Sequence, residues 1–347
     1  MLQELEIKAL NGKSKTNSVK KDKKDYSNEF TRSVGSDLIY DTLYEKHGDR
    51  YVEYRKNWKK ASDGLLLDYP LNIVLDLMNS CNLNCPQCLR AEDYIEEYGE
   101  FLKRKGIFDL ENIRVLMNES QKFNLPSVNI GGGGEPMLHP KFIDICKTVL
   151  DHDVMELRVV SNGTLFTKEI AESLVDIQLP ILSISLDANS PEVYKKSRGK
   201  PEMFEVVVNN IEEFLKIRND RKSIFPLLRV TFCAQPVNVH EKNDFLNRWS
   251  GKADMVDIQG HCSWSSEGAT TDFHCPEPWQ RIMFYAEGTV APCCGFTGLE
   301  YEIGRLEEQK TIHDIWHGEK MNDIREMIIT KEYKEPCLRC VGSLKNY

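Results

Sequence analysis

The segment Ile73-Val74-Leu75-Asp76-Leu77-Met78, followed after two residues by Cys81-Asn82-Leu83-Asn84-Cys85-Pro86-Gln87-Cys88, decides how the rest of the chain is read. The first six residues form a short apolar run of strand length. The eight that follow hold three cysteines in the spacing CxxxCxxC. Thiolates this close together, just past a strand, can converge on one metal centre. Three is an informative number. A closed structural zinc site takes four ligands, whereas a [4Fe–4S] cube held by three cysteines leaves one iron open. That open iron can chelate a small molecule and pass it an electron. No fourth ligand that would complete a zinc ribbon follows closely.

Outward from this segment the pattern alternates. Strand-like runs recur at Val128–Ile130, Leu157–Val160, Ile181–Leu186, Leu228–Phe232 and Met255–Ile258, with helix-like runs near 109–123, 140–152, 167–177, 203–218 and 240–249 between them. Such alternation predicts parallel strands joined by right-handed crossovers. Six units fall short of a closed eight-stranded barrel. The expected fold is therefore α/β, a partial (β/α)6 TIM-like barrel or else an open sheet over residues 71–260, with functional groups in either case at the C-terminal ends of the strands.

The flanks read differently. Residues 1–25 form a polar tail with six lysines between Lys13 and Lys24, expected to be disordered and solvated. Residues 26–70 are expected to be a helical N-terminal extension. In it Tyr51, Tyr54 and Trp58 share one helix face that packs on the main domain, and Gly48 breaks the helix in two. Beyond 260, cysteines, glycines and short strand-like pieces appear at 282–285 and 290–292, and helix returns at 311–330. Residues 261–347 are expected to be a small C-terminal α+β domain held by something other than a large apolar core.

Composition sets the outer limits. The 347 residues are 41% hydrophobic and 29% charged, which is the balance of a folded globular chain. No apolar run approaches the ~18 residues of a membrane span, and no secretory signal is legible. The net charge of -9 argues against a nucleic-acid partner, which needs a basic face. The 11 cysteines are odd in number and lie in a chain with no export signal. A disulfide framework is not expected. A reducing, cytoplasmic setting is, with the cysteines used for metal or catalysis.

Further chemistry-bearing segments fall at strand ends. Gly131-Gly132-Gly133-Gly134-Glu135-Pro136 follows the second strand: glycines let a ligand approach backbone, and Glu135 offers an acceptor for an ammonium. Ser161-Asn162-Gly163-Thr164 follows the third strand as a polar turn that could equally cap the next helix. Ser183, Ser185 and Asp187 alternate on the fourth and so face one side. Cys275 and Cys293, with seventeen residues between them and Gly288 five before Cys293, join the terminal CxxC of Cys337 and Cys340 as a second four-thiol set. Read alone, that set suits zinc or an iron–sulfur cluster. Cys146 reads as core. Cys233, at the end of the fifth strand, and Cys262, past the sixth beside His261, Ser263 and Trp264, should face the mouth of the barrel. Each is either an inert small residue or a functional thiol.

The CxxxCxxC spacing after the first strand, followed in order by the GGEP element, resembles the radical SAM family over roughly residues 71–345. The resemblance implies that Cys81, Cys85 and Cys88 hold a [4Fe–4S] cluster and that Gly133, Gly134 and Glu135 hold the methionine amino group of S-adenosylmethionine (SAM). It places Ser161, Asn162, Ser185 and Asp187 near cofactor or substrate, and Arg198 against the SAM carboxylate. Gln87 stands where the family usually has an aromatic, a departure that touches only the adenine contact. The C-terminal thiols resemble the twitch domain, a shortened relative of SPASM. That likeness implies one auxiliary [4Fe–4S] cluster on Cys275, Cys293, Cys337 and Cys340, with Cys294 a less favoured ligand.

The implied activity is reductive cleavage of SAM, with flavodoxin or ferredoxin as reductant, to a 5'-deoxyadenosyl radical that abstracts hydrogen from a C–H bond. A sugar, cyclitol or nucleotide-sugar is the expected substrate and dehydrogenation the expected outcome, with the auxiliary cluster accepting an electron. The alternatives are an epimerase that uses Cys233 or Cys262 as hydrogen donor, and a peptide-modifying maturase. From a different class comes a zinc-binding adaptor, which leaves the Gly133–Pro136 element and the polar fourth strand unexplained.

Overall fold

A computed structural model describes residues 32–88, 106–260, 273–295, 300–308 and 310–343. The lysine-rich tail over 1–25 and the His261–Trp264 stretch with Cys262 lie outside the described residues.

The described strands form one ten-stranded sheet. Its centre is six parallel strands in sequence order: β2 (Asn72–Leu75), β3 (Ser127–Ile130), β4 (Glu156–Ser161), β5 (Ile181–Ser185), β6 (Leu227–Ala234) and β7 (Met255–Gly260). Crossover helices α3 (Leu110–Lys122), α4 (Phe142–Leu150), α5 (Lys168–Asp176), α7 (Met203–Asp220) and α8 (Lys242–Trp249) connect them. This is the partial barrel that the alternation predicts. One further helix, α6 (Pro191–Arg198), sits in the β5–α7 connection and starts at a Ser190 cap whose side chain accepts from Val193 N–H. Its largely polar sequence, with only Val193, Tyr194 and Ser197 buried, hid it from periodicity.

Why these segments pack as a sheet covered by helices is visible in their burial. Ile73, Val128, Leu157, Leu182, Ile184, Leu228, Val230 and Ile258 are all buried, as expected of parallel strands covered on both faces. The helices contribute Ile113, Ile145, Leu174, Val207, Ile211, Phe214 and Phe245 to the same core. Cys146 is fully buried among them.

The N-terminal extension folds as α1 (Ser36–His47) and α2 (Asp49–Ser62), broken at Gly48, whose positive φ of 60° turns the chain. Tyr51 and Tyr54 are buried. The Tyr51 hydroxyl donates to Glu156 Oε2 at 3.2 Å, so the aromatic stripe faces the barrel. The short strand β1 (Arg32–Val34) pairs antiparallel with β7.

At the other edge the sheet continues through the strand-like pieces expected at 282–285 and 290–292, whose pairing with the barrel the sequence does not reveal. β8 (Arg281–Phe284) runs parallel to β2, with Asn72 opposite Arg281 and Leu75 opposite Phe284. β9 (Thr289–Ala291) and β10 (Gly304–Arg305) then add antiparallel. An unpaired edge of β2 would leave a row of bare backbone groups, and β8 satisfies it. The helices α9 (Glu277–Gln280), α10 (Ile312–Trp316), α11 (Glu319–Ile329) and α12 (Cys337–Ser343) complete the C-terminal region. Trp279, Ile282, Ile315 and Trp316 belong to the barrel's own apolar core. No described helix is long and apolar enough to cross a membrane.

Candidate active site

The loop carrying Cys81, Cys85 and Cys88 leaves the C-terminal end of β2 and is held from several sides. Glu135 N–H donates to Ser80 C=O at 2.9 Å, and Gly134 N–H donates to Asp76 Oδ1 at 3.2 Å. Glycine is required at 134 because a Cβ there would stand 1.8 Å from Met78 O and 2.5 Å from Ser80 O. The glycine-rich turn is thus pressed backbone to backbone onto the thiol loop.

Glu135 is 1% exposed. Its Oε1 accepts from Ser161 Oγ at 2.8 Å and from Met137 N–H at 3.1 Å, and its Oε2 accepts from Asn162 N–H at 2.7 Å. Burial pushes its carboxyl up, against these three donors that hold it down. A carboxylate has about four acceptor sites, so three donors leave one over.

The Ser161–Thr164 turn closes a second link. Asn162 Nδ2 donates to Asn82 Oδ1 at 2.9 Å and stands 3.6 Å from Cys81 Sγ. Asn82 Nδ2 donates to Thr164 Oγ1 at 2.7 Å. The turn that could have been a plain helix cap therefore clasps the thiol loop. From the opposite side Lys200 Nζ donates to Asn82 C=O at 2.8 Å, and Arg198 Nη1 stands 3.9 Å from Cys85 Sγ.

Arg198 and Asp187 form a salt bridge of 2.6 Å with side chains 13% and 3% exposed. Burial works against the guanidinium's charge, but Asp187 and then Cys85 overcome it and hold Arg198 firmly protonated. Asp187 sits just past β5 with a left-handed φ of 57°, which turns its carboxylate toward β6, where Oδ1 accepts from Cys233 N–H at 2.7 Å. Asn238 Nδ2 donates to Asp187 C=O at 3.0 Å and to Cys233 C=O at 2.8 Å. Cys233 is half-buried, with its Sγ 4.0 Å from Gly260 O. Ser185 Oγ accepts from Thr231 Oγ1 at 3.4 Å.

The structure thus brings together Cys81, Cys85, Cys88, Gly133, Gly134, Glu135, Ser161, Asn162, Ser185, Asp187, Arg198 and Cys233 at one end of the barrel. Sequence reasoning missed Asp76, Asn82, Asn238 and Lys200, which orient the others. The legible signal was a polar residue interrupting an apolar or loop stretch, too common to single them out.

The second thiol set lies elsewhere. Burial pushes the Cys275, Cys293 and Cys337 thiols well up, Cys337 to about 12, and neighbouring groups add to it: Glu277, Cys340 and Cys337 act on Cys275, and Cys294, Glu277, Cys275 and Cys337 act on Cys293. The Tyr333 hydroxyl donates to Phe273 C=O at 2.7 Å and accepts from Cys275 N–H at 3.4 Å, which anchors the first of the four. Cys294 turns to other partners, Glu277 Oε2 at 3.4 Å and Arg281 Nη1 at 3.6 Å.

The set sits at the base of the β8–β9 hairpin, level with Arg281. The hairpin's tip reaches the other end of the sheet, where Asn79 Nδ2 donates to Glu287 Oε2 at 3.4 Å. The two thiol sets therefore lie beyond opposite ends of neighbouring strands, each four residues long, or roughly 13 Å at ~3.3 Å per residue.

Both sets fit an iron–sulfur cluster better than a single ion. Among the described residues, no three of these thiols come within 4.8 Å of one another. A zinc tetrathiolate with Zn–S near 2.3 Å needs sulfurs roughly 3.8 Å apart. A ligand is also fitted by unmet polar atoms: Ser183 Oγ, Arg198 Nε and Gln235 Nε2 are buried without a hydrogen-bond partner.

Comparison with known proteins agrees. Residues 75–232 match the radical SAM superfamily, and residues 275–341 match SPASM, an iron–sulfur cluster-binding domain. The chain is 28% identical over 175 residues to the probable GTP 3',8-cyclase of Methanocaldococcus jannaschii, which covers 50% of this chain and 53% of that protein. It thus spans about half the length of that relative. It is 28% identical over 321 residues to the tungsten-containing aldehyde ferredoxin oxidoreductase cofactor-modifying protein of Pyrococcus furiosus, covering 77% of this chain and 86% of that one. Among solved structures, Streptococcus suis SuiB bound to precursor peptide SuiA superposes with a TM-score of 0.54 at 15% identity, over 93% of this chain and 77% of that chain, a likeness of fold. The superfamily match spans the first thiol set and the SPASM match spans the second. The chain belongs to the radical SAM superfamily, as an enzyme of SAM and a [4Fe–4S] cluster with a C-terminal SPASM domain for an auxiliary iron–sulfur cluster.

Proposed function

We propose that this enzyme is an oxidoreductase that removes hydrogen from a C–H bond of a small, hydroxyl-rich substrate, a sugar, cyclitol or nucleotide-sugar, bound over the C-terminal ends of β4–β7. When bound, the SAM cluster and SAM supply a carbon-centred hydrogen acceptor and the auxiliary cluster supplies an electron sink, with a flavodoxin or ferredoxin as external donor. What supports this reading is that Cys275, Cys293, Cys337 and Cys340 lie near one another at the opposite end of β2 and β8 from the first thiol set. A position fully ligated by protein and remote from the mouth suits electron transfer rather than substrate chelation.

The chain's own residues do the rest. Cys81, Cys85 and Cys88 hold the first cluster, and Cys275, Cys293, Cys337 and Cys340 hold the second. Gly133 and Gly134 present backbone to the SAM amino group, and Glu135 adds negative charge from behind with its one unused acceptor site. Arg198 receives the SAM carboxylate while Asp187 fixes its orientation. Ser161, Asn162 and Ser185 offer hydrogen bonds to SAM or substrate hydroxyls.

A second reading, epimerisation, is favoured by one contact. Asp187 pins the backbone of half-buried Cys233 at the mouth, where a thiol could return hydrogen to the substrate. Cys262, the other candidate donor, lies outside the described residues.

The test is anaerobic turnover with SAM, a low-potential reductant and a panel of sugars, cyclitols, nucleotide-sugars and peptides. Substrate-dependent formation of 5'-deoxyadenosine with a product two hydrogens lighter supports dehydrogenation. A product of unchanged mass that takes up solvent deuterium and is lost in Cys233→Ala supports epimerisation. Stimulation by peptides alone overturns the small-polyol reading.

A further inference from the structure

Outside both thiol sets, three metal-ligating side chains converge from segments more than two hundred residues apart. His313 and His317 stand one turn apart at α10 and its C-terminal cap. Asp68 lies in the segment leading into β2. His313 Nε2 is 3.2 Å from Asp68 Oδ1, and His317 Nε2 is 2.9 Å from Asp68 O. The two imidazole rings are 4.6 Å apart. One donor atom from each of the three residues lies within 4.8 Å of the other two.

This arrangement is held rather than incidental. Glu119 accepts from the backbone N–H of Ile312 at 2.9 Å and of His313 at 3.0 Å, and Thr311 and Asp314 form a capping box, so the start of α10 is clamped. The His313 ring stacks on Phe123 at 5.4 Å, and Phe123 stacks on Tyr69 at 4.4 Å. The Trp316 indole N–H donates to Leu67 C=O at 2.9 Å, which fixes the backbone beside Asp68. Asp68 also borders an open cleft of about 620 Å³, through which solvent reaches the site.

We propose that Asp68, His313 and His317 form a binding site for a borderline divalent cation of the Zn²⁺, Co²⁺ or Ni²⁺ class. Two neutral imidazoles and one carboxylate are the donors such ions prefer, whereas Ca²⁺ and Mg²⁺ favour all-oxygen sets. The Nε2 atoms that now face Asp68 become ligands when the ring proton moves to Nδ1. With its side chain 78% exposed, Asp68 leaves the remaining positions to water. The bound ion would clip the cluster-binding C-terminal region to the segment that starts the barrel. This inference does not depend on the reaction proposed above.

The test uses protein with both iron–sulfur clusters loaded, kept anaerobic and dialysed against increasing free Zn²⁺. Bound zinc and iron are measured by elemental analysis, and thermal unfolding is followed in parallel. The expected result is one zinc per chain with iron unchanged and a higher melting temperature. D68N keeps an acceptor for His313 but loses the charge, and H313Q/H317Q removes both imidazoles; each is expected to weaken uptake by about tenfold or more. No uptake below millimolar Zn²⁺ overturns the proposal. So does uptake unchanged in both variants, or zinc gained only as iron is lost.

Discussion

The Asp187 carboxylate lies 2.6 Å from the Arg198 guanidinium and also accepts the backbone N–H of Cys233, so one buried acid couples the thiol loop of β2, through Arg198 and Cys85, to the end of β6. Asp187→Asn would leave the Arg198 charge buried without its counter-ion. A loss of about 3–5 kcal/mol in stability is expected, read by denaturant unfolding of the cluster-loaded protein. Arg198→Lys keeps the charge but not the planar fork. It is expected to retain both clusters and to bind SAM about ten- to a hundredfold more weakly, equivalent to the ~1.5–3 kcal/mol of one charged hydrogen bond. Equal SAM affinity in that variant, measured by equilibrium dialysis, would remove Arg198 from the SAM site.

Gly134→Ala tests the contact between the glycine turn and the thiol loop. Its Cβ would meet the Met78 and Ser80 carbonyl oxygens, both backbone, so the loop itself has to move. The variant is expected to lose the SAM cluster and keep the auxiliary one, leaving about half of the iron. Iron analysis and SAM cleavage together check this.

Glu135→Ala strands three buried donors: Ser161 Oγ and the N–H groups of Met137 and Asn162. Each unsatisfied donor costs about 1–3 kcal/mol, so a total near 2–4 kcal/mol is expected once the site relaxes. A melting temperature equal to that of the parent protein would show that this carboxylate is not a tie between β3 and β4.

Cys275→Ser and Cys337→Ser are each expected to lose the auxiliary iron while the SAM cluster remains, and Cys294→Ser to lose none, since its thiol faces Glu277 and Arg281. If Cys294→Ser also removes half of the iron, the ligand set needs revision.

Trp316→Ala probes how the C-terminal region docks. The indole is fully buried, bonds Leu67 C=O and lies 4.5 Å beneath the Arg325 guanidinium. About 3–5 kcal/mol should be lost, as for a large buried aromatic. Separate unfolding of the barrel and C-terminal region would appear as a second calorimetric transition.

Much of the barrel was legible because its signals are local. Each strand from β2 to β7 holds a short run rich in apolar residues, and the helices between them show an apolar stripe, which the largely polar α6 (PEVYKKSR) does not. The loop around Cys81 was legible because ligand spacing within eight residues is a chemical constraint on one short segment. The orienting groups were not. Asn82, Asn238 and Lys200 act through partners 82, 51 and 118 residues away, and nothing local marks a polar residue that bonds at such range.

The chain's order of residues by itself determined the βα alternation, the two thiol groupings and the glycine turn, because hydrophobic period, ligand spacing and backbone freedom are properties of neighbours along the chain. Only the tertiary structure decided that β8 closes the open edge of β2, that the two thiol sets lie at opposite ends of those strands, and that Asp187 turns its carboxylate to Arg198. Strand partners at an edge are chosen by exposed hydrogen bonds and apolar faces brought together from distant segments, and that choice exists only once the sheet has formed.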